Sequence, residues 1–212
     1  SKNWVKYGYH KSWDLAIFQL RLFGGILLNS YLMLLLCVIS GSGVAADKDP
    51  FTSVKEYSLK GNIHKASEEL LKIEDRKLTP RDQAYKYFSL GVLYQEMESW
   101  SEARNFLLKG LELDDDLLIH TNYQLAKIYK AQRNWKEALD YYNKVYKVRA
   151  PRNIQLDTRF DISQILMEKR QWKEAYPHLI YLERNWRGEE HHPEVLWRLI
   201  RVELKRHRKW KA

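Results

Sequence analysis

Cysteine, proline and glycine are scarce in this chain: one, five and nine of 212 residues. The single cysteine, Cys37, can form no disulfide within the chain, so stability has to come from packing. It also removes any spaced Cys/His cluster of the kind that holds zinc. The glycines assemble neither a phosphate-cradling loop nor a nucleophile elbow. Seven histidines (His10, His64, His120, His178, His191, His192, His207) are dispersed, and adjacent His191 and His192 cannot face one site on a helix. Catalysis and cofactor binding therefore find no support: we expect no enzyme, no cofactor and no metal. An acidic run, Glu112 with Asp114, Asp115 and Asp116, lacks the glycine and ligand spacing of a calcium loop and reads as a solvated turn.

Charge is not scarce, and cations prevail: the formal net charge is +9. Several of the excess cations (Lys205, Arg206, Arg208, Lys209, Lys211) crowd the C-terminal end. Such a cluster favours an acidic partner or a membrane surface, although a solvated helix end explains it as well. Single-stranded nucleic acid would need a cationic groove beside stacking rings, and the sequence places few cations there, so nucleic acid is not an expected partner. A small-molecule substrate is not expected either.

Long hydrophobic runs are absent except one. Residues 26–44 are nearly free of charge, basic residues precede them, and Val44-Ala45-Ala46 supplies small residues at the exit. That order predicts a secretory signal peptide cleaved after Ala46, or an uncleaved membrane anchor of about 20 residues. Cys37 is a weak lipid-attachment candidate because Leu36, not a small residue, precedes it. In either case the repeats would lie outside the cytoplasm. The expected address is the periplasm, as a free protein or tethered to the membrane and facing it. The expected division is 1–46 for this segment and 47–212 for the rest.

What the sequence has in abundance is repetition. Trp135-Lys136-Glu137-Ala138 returns as Trp172-Lys173-Glu174-Ala175 and, altered, as Trp100-Ser101-Glu102-Ala103. Ile63-His64-Lys65-Ala66 and Trp210-Lys211-Ala212 are fainter echoes, and the intervals run from 35 to 38 residues. That length holds one helix, a turn and a second helix, so an all-α array is predicted. Lys60-Gly61-Asn62 predicts a turn, Thr79-Pro80 a cap with proline in the first turn, and Pro151 a break between pairs. Helical stripes follow: Tyr87, Leu90, Gly91, Tyr94, then Trp100, Ala103, Leu107, Gly110. Gly91, Ala126 and Ser163 on the first helices, with Ala103, Ala138 and Ala175 on the second, allow close approach while large rings fill the remaining volume. Pro193 opens the last helix, with Trp197, Ile200 and Leu204 predicted on its buried face.

The alternation resembles the tetratricopeptide repeat. Leu90-Gly91, Tyr94 and Ala103 match its pattern, as do Leu125-Ala126, Tyr129 and Ala138; Ile162-Ser163, Leu166 and Ala175 depart at the tyrosine. The resemblance covers residues 47–212 as about four units, the last incomplete. It implies a right-handed superhelical array of helix–turn–helix units, here preceded by an N-terminal hydrophobic helix. It further implies a concave groove lined by the first helices, where such proteins bind proteins or peptides. Three residues before each small position the lining reads Phe51, Phe88, Tyr123, Phe160 and Arg198. Beside them come Tyr85, His120 and Asp157, then Val92, Lys127 and Gln164. A ladder of exposed rings would be an interaction surface, whereas covered rings would join neighbouring repeats; the sequence leaves both open. The Lys and Asn clamp for acidic chain termini is absent. The resulting expectation is a non-catalytic protein–protein interaction scaffold of a bacterial-type cell envelope, gripping its partner through Phe51, Tyr85, Phe88, His120, Tyr123, Lys127, Phe160 and Arg198. The alternative is an assembly spacer within a larger enzyme or a secretion or motility machine, its active part beyond Ala212.

Overall fold

A computed structural model describes residues 50–187 and 190–208 of the chain. The predicted hydrophobic segment at 26–44 and the motif at Trp210 lie outside the described residues. No described helix is long and apolar enough to cross a membrane.

The described residues are helical, in the order α1 (Thr52–Leu59), α2 (Ile63–Lys72), α3 (Pro80–Glu96), α4 (Trp100–Leu113), α5 (Leu118–Ala131), α6 (Trp135–Lys147), α7 (Arg152–Glu168), α8 (Trp172–Asn185) and α9 (His192–Arg208). A 3₁₀ turn at Asp75–Lys77 precedes α3. The starts follow from local chemistry. The side-chain oxygen of Asn62 accepts the Lys65 amide at 3.2 Å, and Thr79 Oγ1 accepts that of Asp82 at 3.1 Å. Each satisfies a donor that the first turn cannot pair internally. Pro80 occupies the first turn, where its missing N–H costs nothing.

The hairpin turns share one solution. Gly61, Glu98, Arg133 and Arg170 adopt left-handed backbone, with φ of 70°, 57°, 57° and 58°. The following amide reverses onto the carbonyl five residues back: Asn62 to Tyr57, Ser99 to Tyr94, Asn134 to Tyr129 and Gln171 to Leu166, at 2.8–2.9 Å. This is the six-to-one bond that closes a helix through a left-handed residue. Tyr94 and Tyr129, the tyrosines of the sequence pattern, thus contribute their carbonyls to the turn, while their half-buried rings pack on Phe106 and Tyr141 of the paired helix.

Successive helices pair as α1 with α2, α3 with α4, α5 with α6 and α7 with α8, and each second helix also meets the next first helix. The small residues set the depth of the contact. A Cβ placed on Gly91 would lie 2.5 Å from Leu107 Cγ and 3.1 Å from the Ala103 carbonyl. Ala103, Ala138 and Ala175 are fully buried opposite. Leu90, Leu93, Leu107, Leu125, Ile128, Tyr142, Ile165, Leu179 and Leu182 fill the space between helices and are fully buried or nearly so. Burial of each leucine or isoleucine stabilises the fold by roughly 1.5–3 kcal/mol. Pro177 sits inside α8 without ending it.

The last helix departs from the predicted register. Val195 and Val202 are its buried residues, both fully covered, while Trp197, Ile200 and Leu204 are 58%, 60% and 59% exposed. The valines lie two turns apart on the face that meets α8. Trp197, Ile200 and Leu204 correspond instead to Tyr87, Leu90 and Tyr94 of α3, the stripe that meets the second helix of the same pair. Among the described residues no helix stands on that side of α9.

Candidate interaction groove

First helices touch one another across the pairs, α3 with α5 and α5 with α7. Helices that meet on one side of an array form its inner face, so the side chains of α3, α5 and α7 on this side line the candidate groove.

The ring column is mostly a set of braces. Phe51, Phe88 and Tyr123 are only 4%, 7% and 4% exposed, which corrects the exposed ladder for these three. Phe88 meets the His120 ring of the next pair edge-on at 6.5 Å, and Tyr123 meets Tyr142 at 6.0 Å. Phe160 is half-buried, with the Arg198 guanidinium 4.1 Å above its ring. Arg198 is held by Glu194 at 2.6 Å, so this pair staples α7 to α9. Trp186, which sequence reasoning missed, completes the staple: it is buried, 5.6 Å from the Phe160 ring and 5.1 Å from His191. It stands in an inter-pair connection, where the repeat pattern gives no signal.

The neighbouring columns remain partly accessible except at Val92, which is 3% exposed. Tyr85, His120 and Asp157, at matching places on α3, α5 and α7, are all half-buried, and so are Lys127 and Gln164 two turns further along α5 and α7. Tyr85 Oη accepts from Arg81 Nη2 at 3.2 Å, and Arg81 also pairs with Asp116 at 3.2 Å. Burial lowers the basicity of His120, whose Nδ1 has no hydrogen-bond partner among the described residues. Burial likewise lowers that of Lys127, against the opposing pull of the Asp161, Glu96 and Asp157 carboxylates. Beneath this strip Asp161 joins α7 to α5 and α6. One of its oxygens pairs with Lys130, and the other accepts from Tyr142 Oη at 2.7 Å.

Elsewhere, Asp114, Asp115 and Asp116 bring carboxylate oxygens within 4.8 Å of one another on the surface. The Asp116 amide donates to Asp114 at 2.8 Å, which turns the chain locally and agrees with a solvated turn.

The fold defines a helical-repeat protein whose inner face carries a polar and aromatic strip. Residues 123–153 match the family model described as tetratricopeptide repeat, so the chain carries that repeat and the described array has the fold of tetratricopeptide-repeat proteins. Among solved structures it is similar to YrrB, described as a tetratricopeptide-repeat protein with an unusual peptide-binding site: 15% identity, 82% of this chain and 84% of that one covered, TM-score 0.58. It is also similar to Pseudomonas aeruginosa PilF, at 15% identity with 69% and 64% covered and a TM-score of 0.56. A third is a putative kinesin light chain with nearly identical repeats from Podospora anserina, at 15% identity with 78% and 92% covered and a TM-score of 0.58. No curated protein matches the chain by sequence.

Proposed function

We propose that the protein is a non-catalytic interaction scaffold that holds a segment of a protein partner along the strip formed by Tyr85, His120, Asp157, Lys127 and Gln164. The observation that carries this reading is the recurrence of half-exposed side chains at matching places on three adjoining first helices. Such a strip meets an extended chain or a helix at regular intervals, which suits side-chain recognition along a groove. Phe51, Phe88 and Tyr123 act behind it, fixing the spacing of the helices, and Phe160 with Arg198 closes one end. The peptide-binding site of YrrB, on a similar fold, supports the same use of this architecture.

The cell envelope is the proposed place of action, with export or tethering through residues 26–44. It rests on the basic leader, the apolar run and the Val44-Ala45-Ala46 exit in the sequence. Fractionation of cells carrying a C-terminally tagged protein tests it: a purely cytoplasmic signal excludes the envelope.

A photo-cross-linking residue at position 120 of the full-length protein tests the groove. A single protein captured there, but not from Lys136 on a second helix, is the expected result. Tyr85→Ala, His120→Ala and Lys127→Ala together should abolish capture while far-ultraviolet circular dichroism stays unchanged. Undiminished capture by that triple variant removes the strip from consideration. A second reading, a stiff spacer in a larger machine, is favoured by the burial of Phe51, Phe88 and Tyr123. It predicts partners cross-linked only away from position 120.

A further inference from the structure

Helices α6, α7 and α8 meet around one guanidinium. The central carbon of Arg159, on α7, lies 4.6 Å from the centre of the Tyr146 ring of α6 and 3.7 Å from that of the Tyr181 ring of α8. The His178 ring stands edge-on to Tyr146 at 5.9 Å. Rings engage the faces of a guanidinium and leave its N–H edge to seek acceptors. Arg159 is half-buried, yet among the described residues it pairs with no carboxylate and donates no hydrogen bond.

The matching place earlier in the array holds an acceptor of its own. Tyr87 stands where Arg159 does, four residues before the small position, and Lys109 stands where Tyr181 does, nine after the tryptophan that opens its helix. There the cation, Lys109, lies 4.0 Å above the Tyr87 ring, and Asp75 accepts from Lys86 at 2.7 Å and from Tyr87. Asp75 falls twelve residues after Ile63; twelve after Trp135 comes Lys147. The later joint thus keeps a cation on tyrosine and puts a second cation where the carboxylate was. Between Asp140 and Asp157 the chain carries Lys144, Lys147, Arg149 and Arg152 and no acidic residue. Lys147 and Arg149 are exposed and form no ion pair among the described residues, and Tyr146 beside them is 45% exposed.

We propose that Arg159, framed by Tyr146 and Tyr181, is a second binding site that receives a side-chain carboxylate from an acidic segment of a protein partner. The planar fork of a guanidinium matches a carboxylate with two parallel hydrogen bonds. Lys147 and Arg149 draw the acidic segment in, and the exposed ring of Tyr146 gives it apolar contact. A half-buried guanidinium between rings suits a projecting side chain better than a flat bilayer. The site is separate from the groove: Arg159 lies two residues from Asp157, and so nearly opposite it around α7.

Fluorescence anisotropy of a fluorescein-labelled hexaglutamate peptide, titrated with the full chain, tests the site. Arg159→Lys keeps the charge but loses the fork, and should weaken binding about ten-fold or more. Lys147→Glu restores a carboxylate at the place of Asp75. It should occupy Arg159 from within, abolish peptide binding and raise the thermal midpoint. Lys147 is exposed, so this variant reads the site even where Arg159→Lys disturbs the array. Lys136→Glu makes the same charge change in the first turn of α6 and should leave peptide binding nearly unaltered. Failure of the unmodified chain to bind the peptide overturns the proposal, as does full binding by Arg159→Lys. Equal weakening by Lys147→Glu and Lys136→Glu reduces the effect to net charge and overturns it too. So does Arg159-dependent binding to phosphatidylglycerol vesicles without binding to the peptide, which assigns the site to a lipid headgroup.

Discussion

Tyr142, on α6, donates to Asp161, on α7, across 2.7 Å at the joint between two repeat pairs. Tyr142 is fully buried and Asp161 is 8% exposed as a residue, while Lys130 of α5 holds the other carboxylate oxygen. Three helices are thereby locked at one point beneath the groove. A buried hydrogen bond to a charged group fixes relative position more strictly than apolar contact, because its strength falls quickly with distance and angle.

Removing the phenol oxygen tests the lock. Tyr142→Phe keeps the ring but leaves one oxygen of Asp161 unsatisfied in a buried place. A loss of about 1–3 kcal/mol in urea unfolding is expected. An unchanged midpoint and slope would show that Asp161 finds another donor and that the joint does not depend on Tyr142.

The turns offer stabilisation. Glu98, Arg133 and Arg170 hold φ near +57°, where Gly61 does the same work without a Cβ. Replacing each by glycine should raise stability by about 1 kcal/mol, since a left-handed side-chain-bearing residue costs roughly 1–2 kcal/mol. The sites lie in separate turns, so the triple variant should show close to the sum in thermal or urea unfolding. A net loss in the triple variant would contradict the turn geometry.

Gly91 predicts the opposite sign. Alanine there gains up to about 1 kcal/mol of helix propensity. It must also displace Leu107 from 2.5 Å and meets the Ala103 carbonyl at 3.1 Å. Overpacking of a filled contact costs about 1–3 kcal/mol, so Gly91→Ala should destabilise and Gly91→Val more so. Stabilisation by Gly91→Ala would mean that α4 can retreat freely from α3.

Acid should weaken the fold through His178. Burial, aided by the positive charge of Arg159, pushes its pKa down to about 4 from 6.5. The folded chain therefore keeps it neutral where the unfolded chain takes up a proton. Stability contributed by the neutral ring is present above about pH 6.5 and is lost as pH falls toward 4. The same place in the preceding repeats holds Phe106 and Tyr141, each packed on a ring of its first helix. His178→Phe should reduce the fall in unfolding midpoint between pH 7 and pH 4.5, with His120 supplying a residual slope of the same sign. Identical pH profiles for the two proteins would count against this account.

Most of the fold is legible in the sequence because repetition states it several times. Trp100, Trp135 and Trp172 mark where second helices begin, and each does open one. Thr79, Pro80 and Gly61 announced their cap and turn. Asp161 was harder to see. Its column reads Ser89, Gln124, Asp161, so no repeated residue type singles it out, and its partners Lys130 and Tyr142 lie 31 and 19 residues away. Trp186 and the left-handed Glu98, Arg133 and Arg170 were equally silent, being ordinary residues held by their surroundings.

The sequence by itself determined the period, the pairing of helices and the positions where backbones come close, since these depend on spacing and side-chain size alone. It also named the columns that share a face of the first helices. Only the tertiary structure decided which columns are covered. Periodicity says that Phe88 and Tyr123 share a place on their helices, and that Trp197, Ile200 and Leu204 share a stripe. It does not say whether a neighbour stands against that place, because burial belongs to the pair of surfaces and not to either one. Hence the rings expected in the groove became braces, and the stripe expected in the core of α9 became an open face.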